Sequence, residues 1–121
     1  MSFGATLTVT VNAVAKVLNR INQDGYGSEY LLRETLQEFR CKIRHSKEKV
    51  QADGTWFDRH NVEITQTIFQ TSTVPEIVRQ SYIVVRHKYN DDLTAAGYLL
   101  TGFVDYIDNP TVQGDLHTWQ N

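Results

Sequence analysis

Three cations stand at alternate positions in the stretch "FRCKIRHS": Arg40, Lys42 and Arg44 are interleaved with Phe39, Cys41, Ile43 and His45. A period of two places the two sets on opposite faces of a β-strand. Two later stretches divide in the same way. In "HNVEITQTIF", Asn61, Glu63 and Thr65 oppose His60, Val62, Ile64, Gln66 and Ile68. In "SYIVVRHKY", Tyr82, Val84, Arg86 and Lys88 oppose Ser81, Ile83, Val85, His87 and Tyr89. A face that mixes cations, short polar groups and an aromatic ring has the chemistry for single-stranded or hairpin RNA. Cations neutralise phosphates, the ring stacks on an unpaired base, and polar side chains meet base edges. The candidate RNA-binding residues are therefore Arg40, Lys42, Arg44, Asn61, Glu63, Tyr82, Val84, Arg86 and Lys88. Alternating Lys and Arg also describe an ordinary solvated strand face, and alternation by itself does not separate the two readings.

The net charge of −2 at first speaks against a polyanionic partner. It conceals an asymmetry: from Asp91 onward there are five Asp and no Lys or Arg, so residues 1–90 hold all 12 basic residues against the other nine of the 14 acidic ones. Six of the twelve fall between Arg33 and Lys49. A polyanion responds to the local field more than to the total, so nucleic acid stays open as a partner.

These residues need a sheet to hold them. Strict alternation in "ATLTVTVN" predicts a first strand, with Ala5, Leu7, Val9 and Val11 opposite Thr6, Thr8, Thr10 and Asn12. The next stretch, "AVAKVLNRIN", fits a helical stripe through Val14, Val17, Leu18 and Ile21 as well as the return strand of a hairpin; its β-branched residues and the short connection at Asn12 and Ala13 favour the strand. "NQDGYGS" reads as a loop, and "EYLLRETLQEFRCKIRHSK" as a short strand followed by a longer one. Asp53 and Gly54 supply a turn, and Pro75 lies in the connection before the last strand. Strands in sequence with short polar links predict an antiparallel meander. Asn90, Asp91 and Asp92 then offer a helix cap, and Leu93, Ala96, Leu100, Phe103 and Ile107 recur at helical spacing before Asn109 and Pro110 end the run. Gly97 and Gly102 weaken that helix by about 1 kcal/mol each, which calls for something packed closely against it. A short helical turn is expected around Asp115 to Trp119. The fold class is α+β: an N-terminal hairpin (5–22), a sheet (29–89) and a C-terminal helical region (91–121) in a single domain of 121 residues. One helix, roughly 25 Å long, is too small to roof several strands. Dimerisation would supply the missing cover.

Other chemistry is weakly represented. His45, His60, His87 and His117 have no H-x-x-x-H or H-E-x-x-H spacing, and the first three fall on the expected inner face, where a hydrogen-bonded histidine is the plainer reading than a metal ligand. Cys41 is the only cysteine and has no second thiol for a disulfide or a metal site. Asp91 and Asp92 read as a cap rather than an acid and base pair, and Trp56 and Trp119 as buried area. There is no glycine-rich phosphate loop and no Ser, His and Asp constellation, so no cofactor or metal is expected. No long apolar run or basic-then-apolar leader is present, which points to a soluble, cytosolic chain with no membrane partner.

Three segments, "RCKIRHS", "DRHNVEITQ" and "RQSYIVV", together with the order of elements, resemble the coat proteins of single-stranded RNA bacteriophages, the leviviruses. The resemblance covers roughly residues 5 to 110. It implies an interlocked homodimer whose continuous sheet lines the inside of an icosahedral shell in the virion, assembled in the host bacterial cytoplasm. It further implies packaging of single-stranded viral RNA on that face and, as in several members, repression of replicase translation through one RNA hairpin. By position, Tyr82 matches the tyrosine that stacks on a loop base. Arg40 and Lys42 match polar base-contacting positions, Arg44 a basic position, and Asn61 and Glu63 contacts on the adjacent strand. Val84 departs from a polar position, and Glu63 stands where a cation can occur. The loop 70–78 corresponds to the segment that gathers around the shell's symmetry axes. Two other readings stay open: a small dimeric α+β enzyme with a pocket lined by His45, His87 and Tyr89, and an RNA-binding dimer that never assembles.

Overall fold

The computed structural model describes residues 3–120. Six antiparallel strands form one sheet in the order β1 (Thr6–Val11), β2 (Val14–Gln23), β3 (Gly27–Arg33), β4 (Gln37–Lys47), β5 (Phe57–Ile68) and β6 (Ile77–Lys88). Two helices follow, α1 (Leu93–Ile107) and α2 (Pro110–His117). One compact unit runs to Arg86 and a second begins at His87. No helix among the described residues is long and apolar enough to cross a membrane.

The order of the sheet follows from short connections. Asn12 and Ala13 link β1 to β2 with φ of 51° and 61°. This left-handed pair matches the right-handed twist of the flanking strands. It resolves "AVAKVLNRIN" as a strand, laddered to β1 from Val11↔Val14 to Thr6↔Asn19. Between β4 and β5, Asp53 Oδ1 accepts from the backbone N–H of Thr55 at 3.0 Å and from its hydroxyl at 2.6 Å, with Gly54 at φ 84°. Between β5 and β6, the Thr71 hydroxyl accepts from the N–H of Val74 at 3.0 Å, while the Thr71 N–H donates to the Val74 carbonyl at 2.9 Å. That loop ends sooner than the 70–78 expected, because Ile77 and Val78 already belong to β6.

One face of the sheet carries the core. Leu18, Tyr30, Phe39, Cys41 and Ile43 are buried, and Leu7, Val11 and Leu32 pack against them. The ladder explains the grouping: Cys41 lies opposite Tyr30 and Ile64, Phe39 opposite Leu32 and Gln66, and Ile43 opposite Val62. A bulge between Arg20 and Asn22 breaks the β2/β3 register; such bulges bend a strand and increase its twist. The Tyr30 hydroxyl donates to the Gly4 carbonyl at 2.7 Å, so its polar end is satisfied within the core. Each fully buried Leu or Phe contributes about 1.5–3 kcal/mol.

At the rim of that face a polar chain crosses the strands. Arg79 donates to Gln66 at 3.2 Å, Gln66 to Gln37 at 2.9 Å, Gln37 to Glu34 at 3.1 Å, and Lys16 to Glu34 at 2.9 Å. The cover is incomplete elsewhere: Val62 and Ile83 remain exposed. His45 and His60, opposite each other in the β4/β5 ladder, meet with their Nδ1 atoms 2.8 Å apart, one ring donating and the other accepting. His45 is exposed rather than enclosed as an inner-face position suggested, because the core ends at Ile43.

In the second unit, Asp92 caps α1, its carboxylate accepting from the N–H groups of Thr94 and Ala95. Ala96, Leu100 and Ile107 are half-buried, whereas Leu93 and Phe103 of the same expected stripe are exposed. Within this unit, among the described residues, open space faces the α carbons of Gly97 and Gly102. Asn109 and Pro110 do more than end a helix. Asn109 accepts from the N–H groups of Thr111 and Val112, and Pro110 occupies the first turn of α2, where its missing N–H costs nothing. The helical turn expected at Asp115 to Trp119 is thus the end of a longer helix that stops at His117, with Thr118 as its cap and Trp119 beyond it. Trp119 is 93% exposed, against the expectation that it would bury area.

Candidate nucleic-acid interface

The opposite face of the sheet gathers the candidate residues. Arg40, Lys42 and Arg44 on β4 lie across from Thr65, Glu63 and Asn61 on β5. The next strand, β6, joins the same face through Gln80, whose Nε2 donates to Glu63 Oε1 at 2.6 Å and faces the Thr65 hydroxyl at 3.4 Å. Alternation from Gln80 then puts Tyr82, Val84 and Arg86 on this side. Lys88 continues the alternation as the last residue of β6, within the second unit. Eight of the nine candidates therefore share one face of the first unit.

The cations are not equivalent. Arg40 pairs with Glu29 on β3 and lies 3.8 Å from Glu38, so its charge is largely answered within the sheet. Arg44 reaches Asp24 at 3.5 Å in an exposed contact of the kind that contributes little. Lys42 makes no hydrogen bond or ion pair with any of the described residues, although Glu63 is its partner across the ladder. Arg86 is held firmly: its Nε and Nη2 donate to the two oxygens of Glu48 at 2.5 and 2.8 Å, and its guanidinium lies 4.7 Å from the centre of the Phe57 ring. Glu48 and Arg86 line a shallow trough with Ser46, Lys49, Arg59 and Val84.

Arg59 is a member of this face that the sequence reading passed over. It is exposed, lies opposite Ser46, and has no hydrogen bond or ion pair with the described residues. Its signal was its position two residues before Asn61 on an alternating strand. Tyr82 is 65% exposed, an aromatic ring left in water on the same face of the sheet. Asn61 presents a buried Oδ1 with no partner among the described residues.

Charge pairing shifts several groups. Hydrogen bonds from Arg86 hold the Glu48 carboxyl below its usual value, helped by the charges of Arg86 and Arg59. The same bonds raise Arg86. The N–H of Tyr26 lowers Asp24, with Gly27 and Arg44 adding to the effect. Burial raises the Cys41 thiol, and the nearby Glu63 charge adds to it, which suits an inert side chain beneath the face rather than a nucleophile. Among the described residues no three His, Cys, Asp or Glu side chains converge as metal ligands.

The fold has relatives among known proteins. The family described as the coat protein of phage phiCb5 matches residues 4–88, which span all six strands. None of the curated proteins compared matches the chain. A solved bacteriophage structure, described as an unassembled virus coat protein dimer and RNA-binding dimer, covers 96% of this chain and 94% of its own at 12% identity. Its TM-score of 0.53 is a likeness of fold. With the match running through all six strands of the sheet, the chain belongs to the phage phiCb5 coat protein family.

Proposed function

We propose that this coat protein dimerises, assembles into an icosahedral shell, and binds single-stranded viral RNA on the sheet face of Lys42, Arg44, Arg59 and Tyr82. The observation that carries the reading is the exposed Tyr82 ring on the face where Lys42 and Arg59 make no hydrogen bond or ion pair with the described residues. Cations not held in ion pairs release counterions when they meet phosphates, and an exposed ring gains by stacking on an unpaired base. The solved structure similar in fold is described as an RNA-binding dimer, which supports dimerisation and RNA binding here. Recognition of one hairpin, with repression of translation, is the finer form of this proposal.

Size-exclusion chromatography of the full chain expressed in bacteria tests it. Void-volume particles with strong nucleic-acid absorbance support a shell around RNA. Retained RNA affinity without particles under any salt condition would instead favour a dimer that never assembles, and a protein free of nucleic acid would count against RNA binding.

A further inference from the structure

Glu63 is the odd member of a face proposed to hold a polyanion, because a carboxylate repels phosphates. Its surroundings show what else it can do. Oε1 accepts from Gln80 at 2.6 Å, which fixes the carboxylate's direction, while Oε2 has no partner among the described residues. Lys42 lies directly across the ladder without pairing to it, so it offsets the negative charge and stays available for a phosphate. Gln80 and the exposed Tyr82 are two residues apart on one side of β6, a spacing of about 7 Å. A base stacked on the Tyr82 ring therefore brings its edge toward a fixed acceptor. Asn61 does not compete for it, since its own acceptor oxygen is buried.

From this juxtaposition we infer that Glu63 is a specificity residue that selects guanine as the base on Tyr82 and rejects uracil. The chemistry is one of donors and acceptors. A carboxylate only accepts hydrogen bonds. Guanine offers it two adjacent donors, N1–H and the N2 amino group. Cytosine and adenine each offer one amino group flanked by a ring acceptor, and uracil presents two carbonyl oxygens around a single N–H. The inference rests on the RNA reading of this face and adds base choice to it.

Fluorescence anisotropy of the full chain with labelled, unstructured 12-residue RNAs tests it. One probe is all uridine, and in the others the same three positions carry guanosine, inosine, adenosine or cytidine. The guanosine probe is expected to bind at least about fivefold more tightly than the uridine probe, with inosine in between because it lacks the N2 amino group. Glu63→Gln should reduce that ratio toward one and bind the uridine probe more tightly, since a negative charge has been removed. Equal binding of all five probes by the native chain overturns the base selection and leaves RNA binding standing. Binding of none at low salt overturns the RNA reading, and this inference with it. The native chain's probe series decides the matter even if the variant does not fold.

Discussion

At the scale of single residues, the ion pairs decide which candidates are available to RNA. Lys42→Ala should flatten the salt dependence of RNA binding by about one phosphate contact. Arg40→Ala should change that slope less, because Glu29 and Glu38 already occupy its guanidinium. Equal slopes for the two variants would show that the Arg40 pairs open on binding. Tyr82→Ala should weaken binding by about 1–3 kcal/mol, as loss of an aromatic platform does, with the fold unchanged; unaltered affinity would remove the ring from the site. Glu48 gives a pH test. Its folded value is depressed, so the stabilisation from its pair with Arg86 is present above the ordinary carboxylate range and is lost as pH falls through the depressed value. Carbon-detected NMR should find the Glu48 midpoint below the usual range and higher in Arg86→Met. An identical midpoint in both would mean that the pair does not persist in solution.

At the scale of elements, the sheet faces were legible because alternation is a local property of the chain. The assignment of Arg40, Lys42 and Arg44 to one face, and of Phe39, Cys41 and Ile43 to the other, needed no knowledge of neighbouring strands. The pairs were not legible, since they depend on register: Arg40 and Glu29 are 11 residues apart, and Arg86 and Glu48 are 38 apart. The ambiguity of β2 had a similar origin. Val14, Val17, Leu18 and Ile21 satisfy helical spacing, and only the turn at Asn12 and Ala13 commits them to a ladder. That turn holds a non-glycine residue, Ala13, at φ 61°, where a Cβ is disfavoured. Ala13→Gly should relieve this and raise stability by about 0.5–1 kcal/mol, read as a higher urea midpoint at unchanged slope. A lower midpoint would show that the turn is less strained than its φ implies.

At the scale of the whole molecule, a coat protein of this family is a structural component of the virion, which removes the enzyme reading built on His45, His87 and Tyr89. Within the second unit, α1 has no buried residue. Leu99, Phe103 and Tyr106 follow one another at spacings of four and three, which places them on one side of the helix, and they are 78%, 56% and 62% exposed. An apolar stripe of this kind signals a surface meant to be covered. The expected stripe ran instead through Leu93, Ala96, Leu100, Phe103 and Ile107, because helical spacing does not say which side of a helix a partner covers. If α1 supplies the proposed dimer contact, replacing Leu99 and Phe103 together by Glu would put two charges into that contact, and a buried unpaired charge is strongly unfavourable. Under conditions that dissociate the shell, light scattering should then find a dimer for the native chain and a monomer for the double variant, which should also form no particles when those conditions are reversed. Circular dichroism should show that the sheet survives, because neither residue belongs to the core of Leu18, Tyr30, Phe39, Cys41 and Ile43. A native monomer, or a double variant that still dimerises, would place the subunit contact elsewhere.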